Sequence, residues 1–154
     1  MSIFSEVLRN YVLVCALSAW GIAQVCKFIL NYIVNRNFNF ERLSGAGGMP
    51  SAHSATVTSL TIACARMCGT GSTEFAIAVV LAAVVIYDAM GVRHEAGEHA
   101  KIINQMIKKS TEDDDESNDL EYQELKEMLG HTPLEVVGGI LLGILIPLII
   151  PMPQ

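Results

Sequence analysis

The sequence predicts an all-α, polytopic membrane helical bundle: a single domain over residues 1–154 with about four transmembrane helices and a polar loop carrying short interfacial helices. Three observations carry that reading. The chain of 154 residues is 51% hydrophobic and only 17% charged, apolar for a water-soluble domain. Its apolar residues come in blocks of near-spanning length rather than evenly spread. Inside lipid, an open chain satisfies its backbone hydrogen bonds only as a helix.

The first apolar segment runs from about Tyr11 to Leu30, with Lys27 as its one charge, and continues through Asn31-Tyr32-Ile33-Val34. It is too long for a signal peptide and lacks a clear small-residue cleavage site. The second, Ser51 to Cys68, is the least apolar, rich in Ser, Thr and Ala, with Arg66 near its end. The third, Phe75 to Val92, is apolar until Asp88, and the fourth, Leu134 to Met152, has no charge after Glu135. Ser51, Ala55, Ser59 and Ala63 recur every four residues, as do Gly139 and Gly143. Small-residue rows of this kind let membrane helices approach closely. No internal repeat is evident.

Between the third and fourth segments lies a polar stretch, residues 93–130. Ala96 to Lys109 places Ile102, Ile103, Met106 and Ile107 in a pattern suited to a helix at the membrane surface. Residues 110–119 are too charged to pack and are expected to be mobile. Leu120 to Leu129 suits a short helix ended by Gly130. The net charge of −6 is local in origin, concentrated in Glu112 to Glu116, and reads as a solvated loop; no nucleic-acid partner is expected. Cys15, Cys26, Cys64 and Cys68 all lie in apolar stretches, and Cys64 and Cys68 are four apart. They read as small buried hydrophobes, with neither a disulfide framework nor a zinc site.

Three polar constellations sit at the ends of the apolar segments. Gly47-Gly48-Met49-Pro50-Ser51-Ala52-His53-Ser54 is a tight turn into a helix, with Ser51 as N-cap. A helix start offers unpaired N–H groups and the positive end of the dipole, which suit a phosphate, and His53 adds a proton carrier. A capped helix with an incidental histidine is the plainer alternative. Gly130-His131-Thr132-Pro133-Leu134-Glu135 forms a capping box, with Thr132 as N-cap, Pro133 at N1 and Glu135 at N3. His131 then stands just outside another helix start, whose dipole favours a neutral, nucleophilic imidazole. Glu135 has two readings, the capping box alone or a partner in a site. The third constellation is Tyr87-Asp88-Ala89-Met90-Gly91-Val92-Arg93. Asp88 near a membrane helix end is a functional candidate by its cost. Arg93 offers a planar fork of donors for phosphate, or an ordinary interfacial anchor. Lys27 either joins them or snorkels to the interface. If all four segments span, Lys27, Ser51, His53, Arg93 and His131 converge on one membrane face.

Through Gly-Gly-Met-Pro-Ser-Ala-His-Ser, Tyr-Asp-Ala-Met-Gly-Val-Arg and Leu-Gly-His-Thr-Pro-Leu-Glu-Val, nearly the whole chain resembles the divergent branch of the type-2 phosphatidic acid phosphatase and vanadium haloperoxidase superfamily. The resemblance implies that Lys27, Ser51 and Arg93 bind phosphate, that His53 is the general acid, that His131 attacks phosphorus, and that Glu135 replaces the orienting Asp; Asp88, singled out by its cost rather than by the resemblance, is a supporting candidate. It implies hydrolysis of a lipid phosphomonoester through a phosphohistidine, with no cofactor and no metal. The departures are specific. The superfamily's Arg-Pro after the first Lys is missing, Ala52 replaces a Gly, and a long insertion separates Arg93 from His131 where the superfamily has a short spacer. His99 sits at the superfamily's spacing from Arg93, but no acidic residue follows it suitably, so His131 is preferred. The superfamily usually has six membrane helices; four here imply either a homo-oligomer or a reduced enzyme.

Two other readings compete. One is a metal-dependent phosphatase or phosphotransferase built on Asp88, Glu95 and Glu98, with His94 and His99 near them in sequence. The other is a non-catalytic membrane protein that binds lipid phosphates. For orientation, alternating crossings place Lys27, Arg36, Arg42, Arg93, Lys101, Lys108, Lys109 and Lys126 on one face and only Arg9 and Arg66 on the other. The positive-inside rule then predicts a multi-pass cell-membrane protein with a cytoplasmic active site, both termini outside, and an inner-leaflet substrate of phosphatidic acid or phosphatidylglycerophosphate type.

Overall fold

On the first helix, α1 (Tyr11–Asn35), the residues Tyr11, Cys15, Ala19, Ala23 and Lys27 recur every four positions, and all five are buried. That row is the face turned into the protein, while Leu17, Trp20, Val25 and Ile29 point outward. The computed structural model describes residues 6–7, 9–35, 48–113, 125 and 131–153. Within them the chain is all helical, with five helices in order: α1, α2 (Ala52–Cys68), α3 (Thr73–Met90), α4 (Val92–Asp113) and α5 (Pro133–Ile149).

The centre is α2, which packs against α1, α3 and α5. Its Ser51, Ala55, Ser59 and Ala63 are completely buried, as the small-residue spacing predicts. Gly139 of α5 lies on the Ser51 carbonyl and Ser54; Gly143 lies on Ala55 and Thr58. A Cβ at Gly143 would come within 2.6 Å of the Ala55 oxygen, so only glycine permits this approach. Polar side chains inside the bundle bond neighbouring backbone: Ser59 Oγ donates to the Cys15 carbonyl at 3.0 Å and Thr61 Oγ1 to the Ala78 carbonyl at 3.2 Å. At the end away from the helix starts of α2 and α5, Tyr11 Oη donates to the Pro147 carbonyl and accepts from Arg66 Nη1, each at 2.7 Å. Tyr11 thereby ties α1, α2 and the last turn of α5 together, with the Arg66 cation beside the carbonyls at that helix's negative end.

The caps follow sequence chemistry. Ser51 and Ser72 cap α2 and α3, and Gly69, at φ +84°, closes α2. Helix α5 stops at Ile149 because Ile150 precedes Pro151 and is extended. Helix α4 continues from α3 through Gly91, whose N–H bonds Tyr87 O while its carbonyl accepts from Glu95 N–H. It runs to Asp113, beyond the Ala96–Lys109 stretch expected, so residues 110–113 of the supposedly mobile run propagate a helix already formed. Its Gly97, Ala100 and Asn104 are buried, and Ile102, Ile103 and Met106 are exposed. The remainder of the expected mobile run and the Leu120–Leu129 helix, Leu125 apart, lie outside the described residues.

The expectation of four crossings is met in part. Two helical runs, Tyr11–Ile33 and the run starting at Thr73, are long and apolar enough to cross a membrane. Helix α5 is apolar but has 17 residues, about 25 Å against a hydrocarbon core of about 30 Å. Helix α2 is also 17 residues and much less apolar; surrounded by three helices, it needs little lipid-facing hydrocarbon.

Candidate active site

The end of α1, the turn before α2, the end of α3 and the start of α5 meet at one end of the bundle. Backbone bonds make the junction: Ser51 N–H donates to the Glu135 carbonyl at 2.9 Å, and His131 N–H to the Ala89 carbonyl at 3.1 Å. Gly48, at φ +92°, lies on the Lys27 stem, 3.2 Å from Lys27 Cγ to where a Cβ would stand. Only glycine suits both that backbone and that contact.

Glu135 organises the junction. Its Oε2 lies 3.0 Å from His131 Nδ1 and accepts from Thr132 N–H at 3.2 Å, while Oε1 accepts from Gly48 N–H at 3.2 Å. Thr132 Oγ1 accepts from Glu135 N–H, completing the capping box that the sequence predicts. The two sequence readings of Glu135 are therefore not exclusive: one carboxylate caps α5 and holds the histidine. A carboxylate only accepts, so Nδ1 is the protonated nitrogen of a neutral His131, and Nε2 carries the lone pair. His131 is 3% exposed, and its buried Nε2 has no hydrogen-bond partner among the described residues. The exposed His53 ring stands 5.9 Å from the His131 ring, centre to centre, tilted by 58°.

Ser51 is completely buried. Its Oγ accepts from Ser54 N–H at 3.3 Å and from Ser54 Oγ at 3.1 Å. With both lone pairs engaged, its own O–H is the group left to donate. Lys27 is 8% exposed on the inward row of α1, its stem against the Gly48 backbone. Its stem runs into the bundle junction rather than out toward lipid, unlike a snorkelling lysine.

Lys27, Ser51, His53, His131 and Glu135 are thus brought to one junction. Asp88 is partly buried, next to the Ala89 whose carbonyl holds His131. Arg93 is in the first turn of α4, and its side chain lies outside the described residues. His99, Glu95 and Glu98 are exposed on α4, and no three His, Cys, Asp or Glu are grouped to hold a metal among the described residues. Sequence reasoning missed Ser54, the Gly48 N–H and the Ala89 carbonyl. For Ser54 the signal was its i+3 relation to the cap; the two backbone groups carry none, because any residue type supplies them.

A curated relative described as the uncharacterized membrane protein YuiD of Bacillus subtilis (strain 168) is 38% identical over 152 residues, covering 94% of this chain and 96% of the relative. No solved structure matches the chain significantly. The Divergent PAP2 family matches residues 8–146, which include all three motif stretches. Over that share of its length, with a near full-length relative beside it, the chain belongs to the Divergent PAP2 family.

Proposed function

We propose that this chain is a membrane lipid-phosphate phosphatase that hydrolyses a phosphomonoester through a phosphohistidine on His131. The observation that carries the proposal is the state of His131: buried, fixed at Nδ1 by Glu135, and with Nε2 facing no protein partner among the described residues. In the first step Nε2 forms the P–N bond as the P–O bond to the lipid breaks, and His53 gives its proton to the departing oxygen. In the second, water attacks phosphorus, His53 takes its proton, and inorganic phosphate leaves. Lys27, the Ser51 hydroxyl and the N-termini of α2 and α5 stabilise charge on the transferring group, and Arg93 supplies a second cation.

In this reading α1, α2, α3 and α5 all cross the membrane and the junction faces the cytoplasm. The substrate is then an inner-leaflet lipid of phosphatidic acid or phosphatidylglycerophosphate type. Phosphate release by the purified protein, screened over lipid phosphates, is the test. His131→Ala is expected to lower turnover by orders of magnitude and vanadate to inhibit the wild type. His53→Ala should cost less with activated leaving groups, which need little protonation. Full activity in His131→Ala would end the proposal.

A further inference from the structure

We propose that the side of α2 between α1 and α3 is a lateral cleft that takes the acyl chain of a lipid phosphate, so that the substrate enters from the membrane rather than from water. Helices α1 and α3 each pack on α2 but do not approach each other among the described residues. Consecutive residues of α2 show where the space falls. Ser59 Oγ donates to the Cys15 carbonyl of α1, and Thr61 Oγ1 donates to the Ala78 carbonyl of α3. Leu60 stands between them, about 100° from each around the helix. The opposite side of α2 is closed by α5, whose Gly139 and Gly143 lie on Ser54, Ala55 and Thr58. Ser59 is accordingly completely buried, whereas Leu60 is half-buried.

The line continues along α2 in both directions. His53 and Thr56 precede Leu60 by seven and four residues, and Met67 follows it by seven, so these positions share one side of the helix. Thr56 is half-buried, Met67 is exposed, and His53 is the one exposed residue from Ser51 to Arg66. Below His53 the line is apolar: the Thr56 hydroxyl donates to the Ala52 carbonyl at 2.7 Å, within its own helix. Its polar end is the junction, where the His53 ring stands 5.9 Å from the His131 ring. A phosphomonoester with its phosphate at His131 and a hydrocarbon chain running down the line fits both ends. From His53 to Leu60 is about 10 Å, and to Met67 about 21 Å, within a hydrocarbon core of about 30 Å.

Lipid tails are as apolar as such a cleft, so it adds little affinity. It removes an obstacle instead. Three helices flank α2, and a lipid reaching a phosphate site at its start past closed walls would lift its first methylene groups out of hydrocarbon. With one side open, the headgroup meets His131 while the chain stays in apolar surroundings. A water-soluble phosphomonoester gains nothing from the opening.

The role of the cleft in turnover rests on the phosphatase reading; its occupancy by a lipid phosphate does not. The experiment uses the full chain in lipid nanodiscs and a phosphonate analogue of phosphatidic acid, which resists hydrolysis, carrying a diazirine in one acyl chain. Photolabelling mapped by mass spectrometry should concentrate at residues 56–60 and be displaced there by excess unlabelled phosphonate. Labelling of the exposed Leu141, Leu145 and Leu148 on α5 should not be displaced. Leu60→Trp fills the cleft. The ratio of kcat/KM for a long-chain lipid phosphate to that for a short-chain, water-soluble one should then fall by roughly tenfold, as if about two methylene groups were withdrawn from hydrocarbon. Labelling no heavier at 56–60 than on α5, or not displaced there, overturns the proposal, as does an unchanged ratio. If Leu60→Trp does not fold, Leu60→Phe decides by the same ratio. A wild type that releases no phosphate from either substrate removes the phosphatase reading, and the displaced labelling still decides the cleft.

Discussion

Glu135→Gln tests the junction with the least change of shape. The native carboxylate accepts three N–H groups, from Gly48 at Oε1 and from Thr132 and His131 at Oε2. A carboxamide has one acceptor oxygen, so one end must turn an NH2 toward a donor. With nitrogen at the Oε1 place, the Gly48 N–H loses its acceptor. With nitrogen at the Oε2 place, Thr132 N–H is orphaned and His131 must shift its proton to Nε2, which removes the nucleophilic lone pair. Either way one backbone donor is unsatisfied: the partly buried Gly48 N–H at about 1–3 kcal/mol, or the exposed Thr132 N–H at the low end of that range. For a chain of this size that lowers the unfolding midpoint by roughly 2–4 °C per kcal/mol, so by about 4–8 °C for a loss near 2 kcal/mol. Where the nitrogen takes the Oε2 place, turnover should fall much further, on the order of 10⁴-fold, as when a carboxamide replaces the acid that sets a catalytic histidine's tautomer; with the nitrogen at the Oε1 place the tautomer holds and turnover follows stability. Thermal unfolding in detergent, phosphate release, and ¹⁵N-histidine spectra of both proteins measure the three effects. A wild-type midpoint together with an unchanged His131 tautomer would refute the reasoning.

Other expectations follow from the packing and the proposed orientation. Gly139→Ala and Gly143→Ala each force a Cβ into α2 and should destabilise similarly, by about 1–3 kcal/mol. Only Gly139→Ala presses on the Ser51 carbonyl, so phosphate release relative to folded protein should drop there and hold in Gly143→Ala; equal losses would refute the distinction. Tyr11→Phe removes the hydroxyl shared by Pro147 and Arg66, and its unfolding midpoint should fall by roughly 3–8 °C. The exposed Cys68 lies at the bundle end opposite the junction. With a cytoplasmic site, a membrane-impermeant maleimide should label Cys68 in intact cells and spare a cysteine placed within residues 110–119. The reverse pattern would put the site outside and remove the inner-leaflet substrate.

Much of this protein was determined by local chemistry that a sequence displays. The Thr132-Pro133-x-Glu135 box, the Ser51 cap and the Ser51-Ala55-Ser59-Ala63 row each became the predicted feature. Capping and i+4 packing depend on residues within one turn of each other, so spacing alone reveals them. The row Tyr11-Cys15-Ala19-Ala23-Lys27 was equally legible and would have turned Lys27 inward without any coordinates. Helix α2 was identified by its ends, but its central place was not, because low hydropathy marks a surface helix in water and a surrounded one in lipid. What the tertiary structure alone decided is carried by backbone atoms and by pairs distant in sequence. Gly48 N–H reaches Glu135 across 87 residues, and Ala89 O holds His131. A backbone N–H or carbonyl is the same in every residue, so no sequence pattern marks the one that a distant carboxylate or histidine uses. Those contacts set the position of His131, and they exist only once the helices have packed.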